Sequence, residues 1–146
     1  MFKKYSKVCA LVFFCIFNIF VTTASAIDLD EATRTVTVDA SGNTAVLSQE
    51  QVKRGKRLFN ATCGACHVGG ITNTNPNVGL DPEALSLATP RRDNVNALVS
   101  YIKDPTSYDG LYSIAEVHPS IKSADIYPRM RSLTNDDLYA IAGHIM

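Results

Sequence analysis

Apolar residues recur at helical spacing in several stretches of the chain, and the first stretch leads into its most informative motif. Ser48 and Gln51 have the spacing of a capping box, which predicts that a helix begins there. The basic residues of this helix fall largely on one side, as is typical of a solvated face. The opposite, apolar face consists of Val52, Gly55, Leu58 and Phe59.

The second half of the chain predicts further helices. Asp81-Pro82 and Thr89-Pro90 both have the form of a helix start, because proline is favoured in the first turn. Pro105 ends the helix that follows Pro90, because proline cannot continue a helical hydrogen-bond pattern. The apolar positions of that helix are Val95, Leu98, Val99 and Ile102.

A last helix is predicted after Thr134. This residue has the position of an N-cap, and Asp136 and Asp137 follow it at the positive end of the helix dipole. The turn-rich segment over residues 106–129 separates this helix from the preceding one. The apolar face of the last helix consists of Leu138, Ile141, Ala142 and Ile145.

Near the start of the chain the periodicity changes from helical to alternating. β-Branched and polar residues alternate over residues 33–38, turn-forming residues follow at 40–43, and a second short stretch covers 44–47. This pattern predicts a β-hairpin. The sequence therefore predicts a mainly α fold with a short N-terminal β-hairpin.

The first 26 residues have the composition of a secretory signal peptide. Three lysines precede an apolar run over residues 8–21, and Ala24-Ser25-Ala26 has the form of a cleavage site. The apolar run is short for a membrane-spanning helix. We therefore expect a signal peptide over residues 1–26 and one domain over residues 27–146.

The charge of that domain argues against one class of partner. The chain has 14 basic and 14 acidic residues, and three of the basic ones lie within the first 26 positions. Residues 27–146 therefore have 11 basic and 14 acidic residues, a formal charge of −3. A nucleic-acid-binding domain needs a basic surface, so we expect no nucleic-acid partner.

The segment Cys63-Gly-Ala-Cys66-His67 has the attachment pattern of a c-type haem. Two thiols separated by two residues can reach both vinyl groups of one porphyrin, and the histidine that follows can bind the iron. A thioredoxin-like redox pair would need a βαβ pattern, which this sequence lacks. A zinc site would need a second pair of ligands. We therefore expect one covalently bound haem c, with His67 as an axial ligand.

Three residues are candidates for the second axial ligand. Met130 comes shortly before the last helix, and His118 lies in a proline-stiffened loop that follows Pro105. His144 belongs to the last helix, where packing against the first helix is the favoured interpretation. Both histidine and methionine serve as haem ligands, so the residues themselves leave His118 and Met130 equally favoured.

The choice of ligand matters for the chemistry. Methionine raises the reduction potential, whereas a second imidazole is a stronger donor to ferric iron and gives a low potential. With two protein ligands the iron has no open position for oxygen or peroxide. This argues against an oxidase, a peroxidase, a gas carrier or another haem enzyme, and we expect no enzymatic activity.

Several motifs of the chain resemble those of class I c-type cytochromes. Gly55 and Phe59 match the pattern G-x-x-x-F of the first helix in that class. The match to L-x-x-Y-[IL]-x-x-P is carried by Leu98, Tyr101 and Pro105. This resemblance implies the class I cytochrome c fold, in which the first and last helices cross.

A more specific resemblance covers the chain from about residue 27 to its end. Residues 97–110, 116–119, 126–130 and 133–138 are similar to the low-potential extrinsic cytochrome c family of photosystem II. In that family two histidines hold the iron, which implies His67 and His118 in this chain. Met130 would then line the haem pocket.

The resemblance also implies a function and a location. Members of the family bind at the lumenal face of photosystem II, in a chloroplast (plastid) or cyanobacterial thylakoid, and stabilise the oxygen-evolving manganese cluster and its calcium and chloride requirement. The expected partners are the photosystem II core and other extrinsic lumenal subunits. The protein would be peripheral to the membrane through protein contacts. The alternative is a soluble, diffusing electron carrier.

Two further expectations concern the surface. The family continues past the last helix into a Gly-rich aromatic tail, and no residue follows Met146 in this sequence, so we expect the tail to be absent. The candidate cations for an acidic partner are Arg34, Lys53, Arg54, Lys56, Arg57 and Lys103.

Overall fold

The computed structural model describes residues 28–146, and the signal peptide expected over residues 1–26 lies outside the described residues. The described part is mainly helical and has one small antiparallel sheet, which confirms the predicted fold class. The strands are β1, Thr35–Thr37, and β2, Thr44–Val46. The helices are α1, Gln49–Thr62; α2, Pro82–Leu87; α3, Val95–Lys103; and α4, Asn135–Ile145.

The predicted β-hairpin is confirmed, and its inner face packs on the helices. Val36 in β1 pairs with Ala45 in β2, and the side chain of Val36 is buried. Leu47, directly after β2, is also buried and belongs with Val36 to a core cluster that includes Val95 and Leu98 of α3. A two-stranded ribbon is marginal alone, so this burial explains how the hairpin is held.

Two of the predicted helix starts have complete capping boxes. Ser48 accepts a hydrogen bond from the backbone of Gln51, whose side chain accepts one from the backbone of Ser48. Thr134 and Asp137 make the equivalent pair at the start of α4. Each box satisfies two backbone groups that a helix end otherwise leaves without partners.

Helices α1 and α4 cross in close contact, as the resemblance implies. A Cβ atom on Gly55 would lie 2.1 Å from the carbonyl oxygen of Ala140, so only glycine permits the observed approach of the two backbones. One turn further along α1, the ring of Phe59 meets the ring of His144 edge-on, at 5.3 Å between centroids. His144 therefore packs against the first helix, as predicted.

One predicted helix start is wrong. Helix α3 begins at Val95 and is capped by Asn94, whose side chain accepts a hydrogen bond of 2.9 Å from the backbone of Ala97. Thr89 instead belongs to a loop, where its backbone N–H donates to the carbonyl of Tyr108 at 2.8 Å. The start at Asp81-Pro82 and the end of α3 before Pro105 are confirmed.

The apolar faces of α1, α3 and α4 form the second core cluster. It contains Phe59, Ile102, Met130, Leu138 and Ile141, all of them buried. Four of these residues, Phe59, Ile102, Met130 and Ile141, line a cavity beside the end of α1 together with Leu98 of the hairpin cluster. Within residues 28–146, no helix has the length and apolar character needed to cross a membrane.

Candidate haem site

The end of α1 delivers the C-x-x-C-H motif to the cavity. The backbone N–H of Cys63 still bonds to Phe59 at 2.7 Å, and those of Cys66 and His67 both turn back to the carbonyl of Cys63, at 3.1 and 3.0 Å. This tight turn brings both sulfur atoms and the imidazole of His67 to the wall of one cavity. Partial burial raises the pKa of the Cys63 thiol.

The cavity has the size and lining of a cofactor site. Its volume is about 600 Å³, within the range of about 300–1,000 Å³ that is usual for such sites. Both cysteines of the motif, His67 and His118 line it. The apolar part of its wall includes Phe59, Leu98, Ile102, Met130 and Ile141. An apolar ring such as a porphyrin is suited to this wall, because its burial removes apolar surface from water.

His118 lies in the loop between α3 and α4 and lines the same cavity as His67. Its backbone is fixed by two contacts: its N–H donates to Ile114 at 2.9 Å, and its carbonyl accepts from the hydroxyl of Ser123 at 3.2 Å. The ring centroids of His67 and His118 are 6.3 Å apart, with the ring planes inclined by 56°.

This separation suits a metal ion between the two rings. An imidazole nitrogen binds a metal at about 2.0 Å and its ring centroid lies about 1 Å further away, so two axial histidines have centroids about 6 Å apart. The observed distance between the two ring centroids is therefore compatible with a shared iron.

The hydrogen bonds of His67 determine which of its nitrogen atoms carries a proton. Its Nδ1 lies 3.1 Å from Oγ1 of Thr72. The Thr72 hydroxyl has one proton, which it donates to the carbonyl of Val78. Oγ1 is therefore the acceptor for Nδ1–H of His67, and Nε2 is left with its lone pair free for a metal.

His118 has the same arrangement with a different partner. Its Nδ1 lies 2.9 Å from the carbonyl oxygen of Pro119, which can only accept. Nδ1 is therefore the donor, and Nε2 is again the unprotonated nitrogen. Second-shell acceptors of this kind fix the tautomer and the orientation of metal-bound histidines.

Burial keeps both rings neutral. It lowers the pKa of His67, and it lowers the pKa of His118 to about 4, with a further contribution from the neighbouring His67. A histidine must be neutral to bind a metal, so the site does not need to lose protons before it can bind iron at neutral pH.

A stack of polar and aromatic groups supports His118 from behind. The ring of Tyr101 meets it edge-on at 5.2 Å, and the guanidinium of Arg92 lies over the other side of Tyr101, 3.9 Å from the ring centroid. Arg92 also donates to the backbone carbonyls of Thr106 and Ser107, at 3.0 and 2.8 Å. A buried cation thus joins α3 to the loop that carries the second histidine.

The other two ligand candidates have different surroundings. Met130 is buried, 3% exposed, and belongs to the apolar wall of the cavity. His144 is used in the packing of α4 on Phe59. Of the three candidates, His118 is the one whose ring lies at a distance from that of His67 suited to a shared metal.

Two residues that support the site were missed by sequence reasoning. Thr72 lies in a segment that has only the composition of a polar loop, and Arg92, two residues after Pro90, belongs to no recognisable pattern. Their partners, Val78 and residues 106–107, are brought to them by loop conformation. No local sequence pattern marks either residue, because the burial of Thr72 and Arg92 depends on the loop conformation.

The fold and the site together define a class I c-type cytochrome: a first helix that ends in C-x-x-C-H, a last helix that crosses it, and an apolar cavity lined by the motif and by a second axial candidate. The structure is similar to a crystal structure of cytochrome c549, with a TM-score of 0.78 and 57% sequence identity over 80% of this chain and 91% of that one.

The sequence comparisons identify the family more closely. The family model described as the cytochrome c-550 domain matches residues 27–146, so the chain belongs to the cytochrome c-550 family. Its relatives include photosystem II extrinsic protein V of Phaeodactylum tricornutum, 78% identical, and of Trieres chinensis, 76% identical; each match covers 100% of this chain and 90% of the relative. Membership of this family means that the protein contains a covalently bound haem c.

Proposed function

We propose that this protein is an extrinsic subunit of photosystem II at the lumenal side of the thylakoid membrane, with a low-potential haem c held by two histidines. The observation that carries the subunit role is the identity of 78% over the whole chain to a protein named photosystem II extrinsic protein V. It favours the photosystem role over that of a diffusing carrier. We propose that the protein has no enzymatic activity.

The roles of the site residues follow from their geometry. In this proposal Cys63 and Cys66 form the thioether bonds, and His67 and His118 are the axial ligands. Both rings are held with Nδ1 as donor and Nε2 free, which supports this assignment. The haem supplies one-electron chemistry when bound.

The surrounding residues restrict that chemistry. If His67 and His118 both bind the iron, it would have no open coordination position for oxygen or peroxide. A bis-histidine site also lacks the methionine that raises the potential of many cytochromes. The arrangement is therefore suited to a low-potential haem that does not activate small molecules, in keeping with a stabilising role beside the manganese cluster.

The partner contacts are also a proposal: the photosystem II core and other extrinsic lumenal subunits, reached through protein surfaces. Among the predicted cations, Arg54 bonds to Asp137 within the chain and Arg34 donates to backbone carbonyls. Lys53 forms an exposed ion pair of 3.6 Å with Glu50, which contributes little. Lys56, Arg57 and Lys103 are exposed and have no ion pair among the described residues. We propose further that residues 1–26 are a signal peptide, which would direct the domain to the lumen.

The test is co-purification with photosystem II. We expect the protein in stoichiometric amount in purified photosystem II and its release by 1 M salt, where the Debye length is about 3 Å. Released complexes should lose oxygen evolution at low calcium and chloride, and recover it when the protein is added back. Absence from the purified complex, with the protein free in the lumenal extract, would favour a diffusing carrier.

Charge variants test the contact surface in the same assay. Exposed ion pairs contribute about 0.2–1 kcal/mol each, so several must be removed together. We expect a variant with Lys53, Lys56 and Arg57 all changed to glutamine to be released at lower salt. The matched control changes Arg91 and Lys122 to glutamine. Both are exposed cations outside α1 that pair with Asp93 and Asp104, and this variant should keep the wild-type release profile.

A further inference from the structure

The loop after the haem motif contains one buried hydroxyl group. Thr72 is 8% exposed, whereas its neighbours Ile71, Asn73 and Thr74 are exposed. A polar side chain in such a position needs hydrogen-bond partners. Thr72 has two: it donates to the carbonyl of Val78 and accepts from Nδ1 of His67.

The donor and acceptor roles of Thr72 in these two hydrogen bonds cannot be exchanged. A carbonyl oxygen can only accept, so the single hydroxyl proton of Thr72 is used on Val78. A hydroxyl that has donated its proton is also a better acceptor, because chains of hydrogen bonds polarise one another. Thr72 thus presents a polarised oxygen atom to Nδ1–H of His67.

The backbone holds Thr72 in place without help from its hydroxyl. On one side the N–H of Asn73 donates to the carbonyl of Cys66 at 2.8 Å, and further along that of Leu80 donates to Gly70 at 2.8 Å. The first bond ties the loop to the motif, and the second closes the loop between residues 70 and 80. Loss of the hydroxyl alone should therefore leave the loop where it is.

We propose that Thr72 is a positioning residue that sets the ligand strength of His67 and so lowers the reduction potential of the haem. The inference rests on the proposed role of His67 as an axial ligand. A hydrogen bond accepted from Nδ1–H raises the basicity of a metal-bound histidine. A more basic imidazole stabilises ferric iron more than ferrous iron, because the ferric ion carries the larger charge.

The test compares three variants of the haem-loaded protein. Thr72→Val keeps a similar shape and removes the hydroxyl; Thr72→Ser keeps the hydroxyl; Asn77→Ala removes an exposed polar side chain of the same loop that does not line the cavity. Second-shell changes alter metal affinity by about 10–100-fold. We expect Thr72→Val to shift the ferric–ferrous equilibrium at least about tenfold toward ferrous, which is about 59 mV for one electron. The other two variants should stay near the wild-type potential.

The ferric spectra and the potentials of the variants distinguish a failure of this inference from a failure of the ligand assignment. If His67 is the ligand, Thr72→Val keeps the low-spin ferric spectrum of the wild type while its potential rises. An unchanged potential with an unchanged spectrum would overturn the role of Thr72 and leave the ligand assignment intact. Equal shifts in Thr72→Val and Thr72→Ser would also overturn it, because serine keeps the hydroxyl group. A wild-type spectrum that survives His67→Ala would overturn the ligand assignment itself.

A measurement on the wild type covers the case in which Thr72→Val does not load haem. In the ferrous, ¹⁵N-histidine-labelled protein, we expect a slowly exchanging proton on Nδ1 of His67 with a cross-peak to the γ-methyl group of Thr72. A proton that exchanges with solvent at once, or that shows contact with another residue, would overturn the proposal.

Discussion

Arg54 in α1 donates a hydrogen bond from Nε to the carboxylate of Asp137 in α4, and so joins residues 83 positions apart at the crossing of the two helices. The side chain of Asp137 is 5% exposed and also accepts from the backbone and the hydroxyl of Thr134, at 3.0 and 2.8 Å. One carboxylate thus completes the cap of α4 and fixes α4 on α1. These contacts, led by the Arg54 bond, lower the pKa of Asp137 to about 2.

The Asp137 carboxylate should make folding stability depend on pH. Its folded pKa lies below the ordinary value of 3.8, so its contribution is complete above pH 4 and is lost as the pH falls from about 4 to 2. The shift corresponds to about 2 kcal/mol. We expect Asp137→Asn to lower the unfolding free energy by about that amount at pH 7 in urea titrations.

Urea titrations at lower pH show whether the charge of Asp137 or its packing causes this loss of stability. The difference between wild type and Asp137→Asn should shrink as the pH falls from about 4 to 2, because the wild-type carboxyl is about half protonated at pH 2. Asp136→Asn is the matched control, since Asp136 lies in the same turn but is exposed; it should cost little at any pH. A penalty for Asp137→Asn that does not change with pH would show that packing, not charge, is responsible.

Gly55 gives a second prediction about the helix crossing. In an isolated helix, alanine is favoured over glycine by about 1 kcal/mol. Here its Cβ would lie 2.1 Å from the oxygen and 2.8 Å from the carbon of the Ala140 carbonyl, which are rigid backbone atoms. The helices must separate, so we expect Gly55→Ala to destabilise the protein by about 1–3 kcal/mol in thermal or urea unfolding. Lys56→Ala, an exposed change on the same helix, should be nearly neutral; equal effects would contradict the argument.

The sequence was most informative where structure depends on nearby residues. The capping box at Ser48, the N-cap at Thr134 and the alternation in the hairpin are local patterns, and all three are confirmed. It failed at Thr89-Pro90, which has the same local form as a true helix start. That segment is instead tied to Tyr108 by a tertiary hydrogen bond, and the buried Asn94 caps the helix.

The candidate site shows the same limit. The motif residues are adjacent in sequence, so Cys63, Cys66 and His67 could be assigned from the pattern. Spacing alone could not separate His118 from Met130, because either loop position can reach the iron. The Thr72 acceptor could not be predicted either, since its role depends on how residues 70–80 fold back on the motif.

The attachment of the haem gives a prediction about the two cysteines. With thioether bonds at Cys63 and Cys66, acid–acetone should leave the haem on the wild-type protein. We expect Cys63→Ser or Cys66→Ser to reduce or abolish covalent loading, and the double variant to release all of its haem. Haem staining after denaturing electrophoresis measures the bound fraction. Free extraction of haem from the wild type would contradict the proposed attachment.

The last prediction concerns the second ligand. His118→Met replaces a strong imidazole donor with a thioether, so we expect the midpoint potential to rise. The ferric spectrum should at the same time gain the weak near-infrared band of a methionine–iron bond, which the wild type should lack. Met130→Leu is the matched control, because it keeps an apolar side chain of similar volume in the cavity wall; its potential should stay low. If His118→Met left the potential unchanged, or if Met130→Leu altered the ligand spectrum, the iron would be held by Met130 or His144 and the bis-histidine assignment would be wrong.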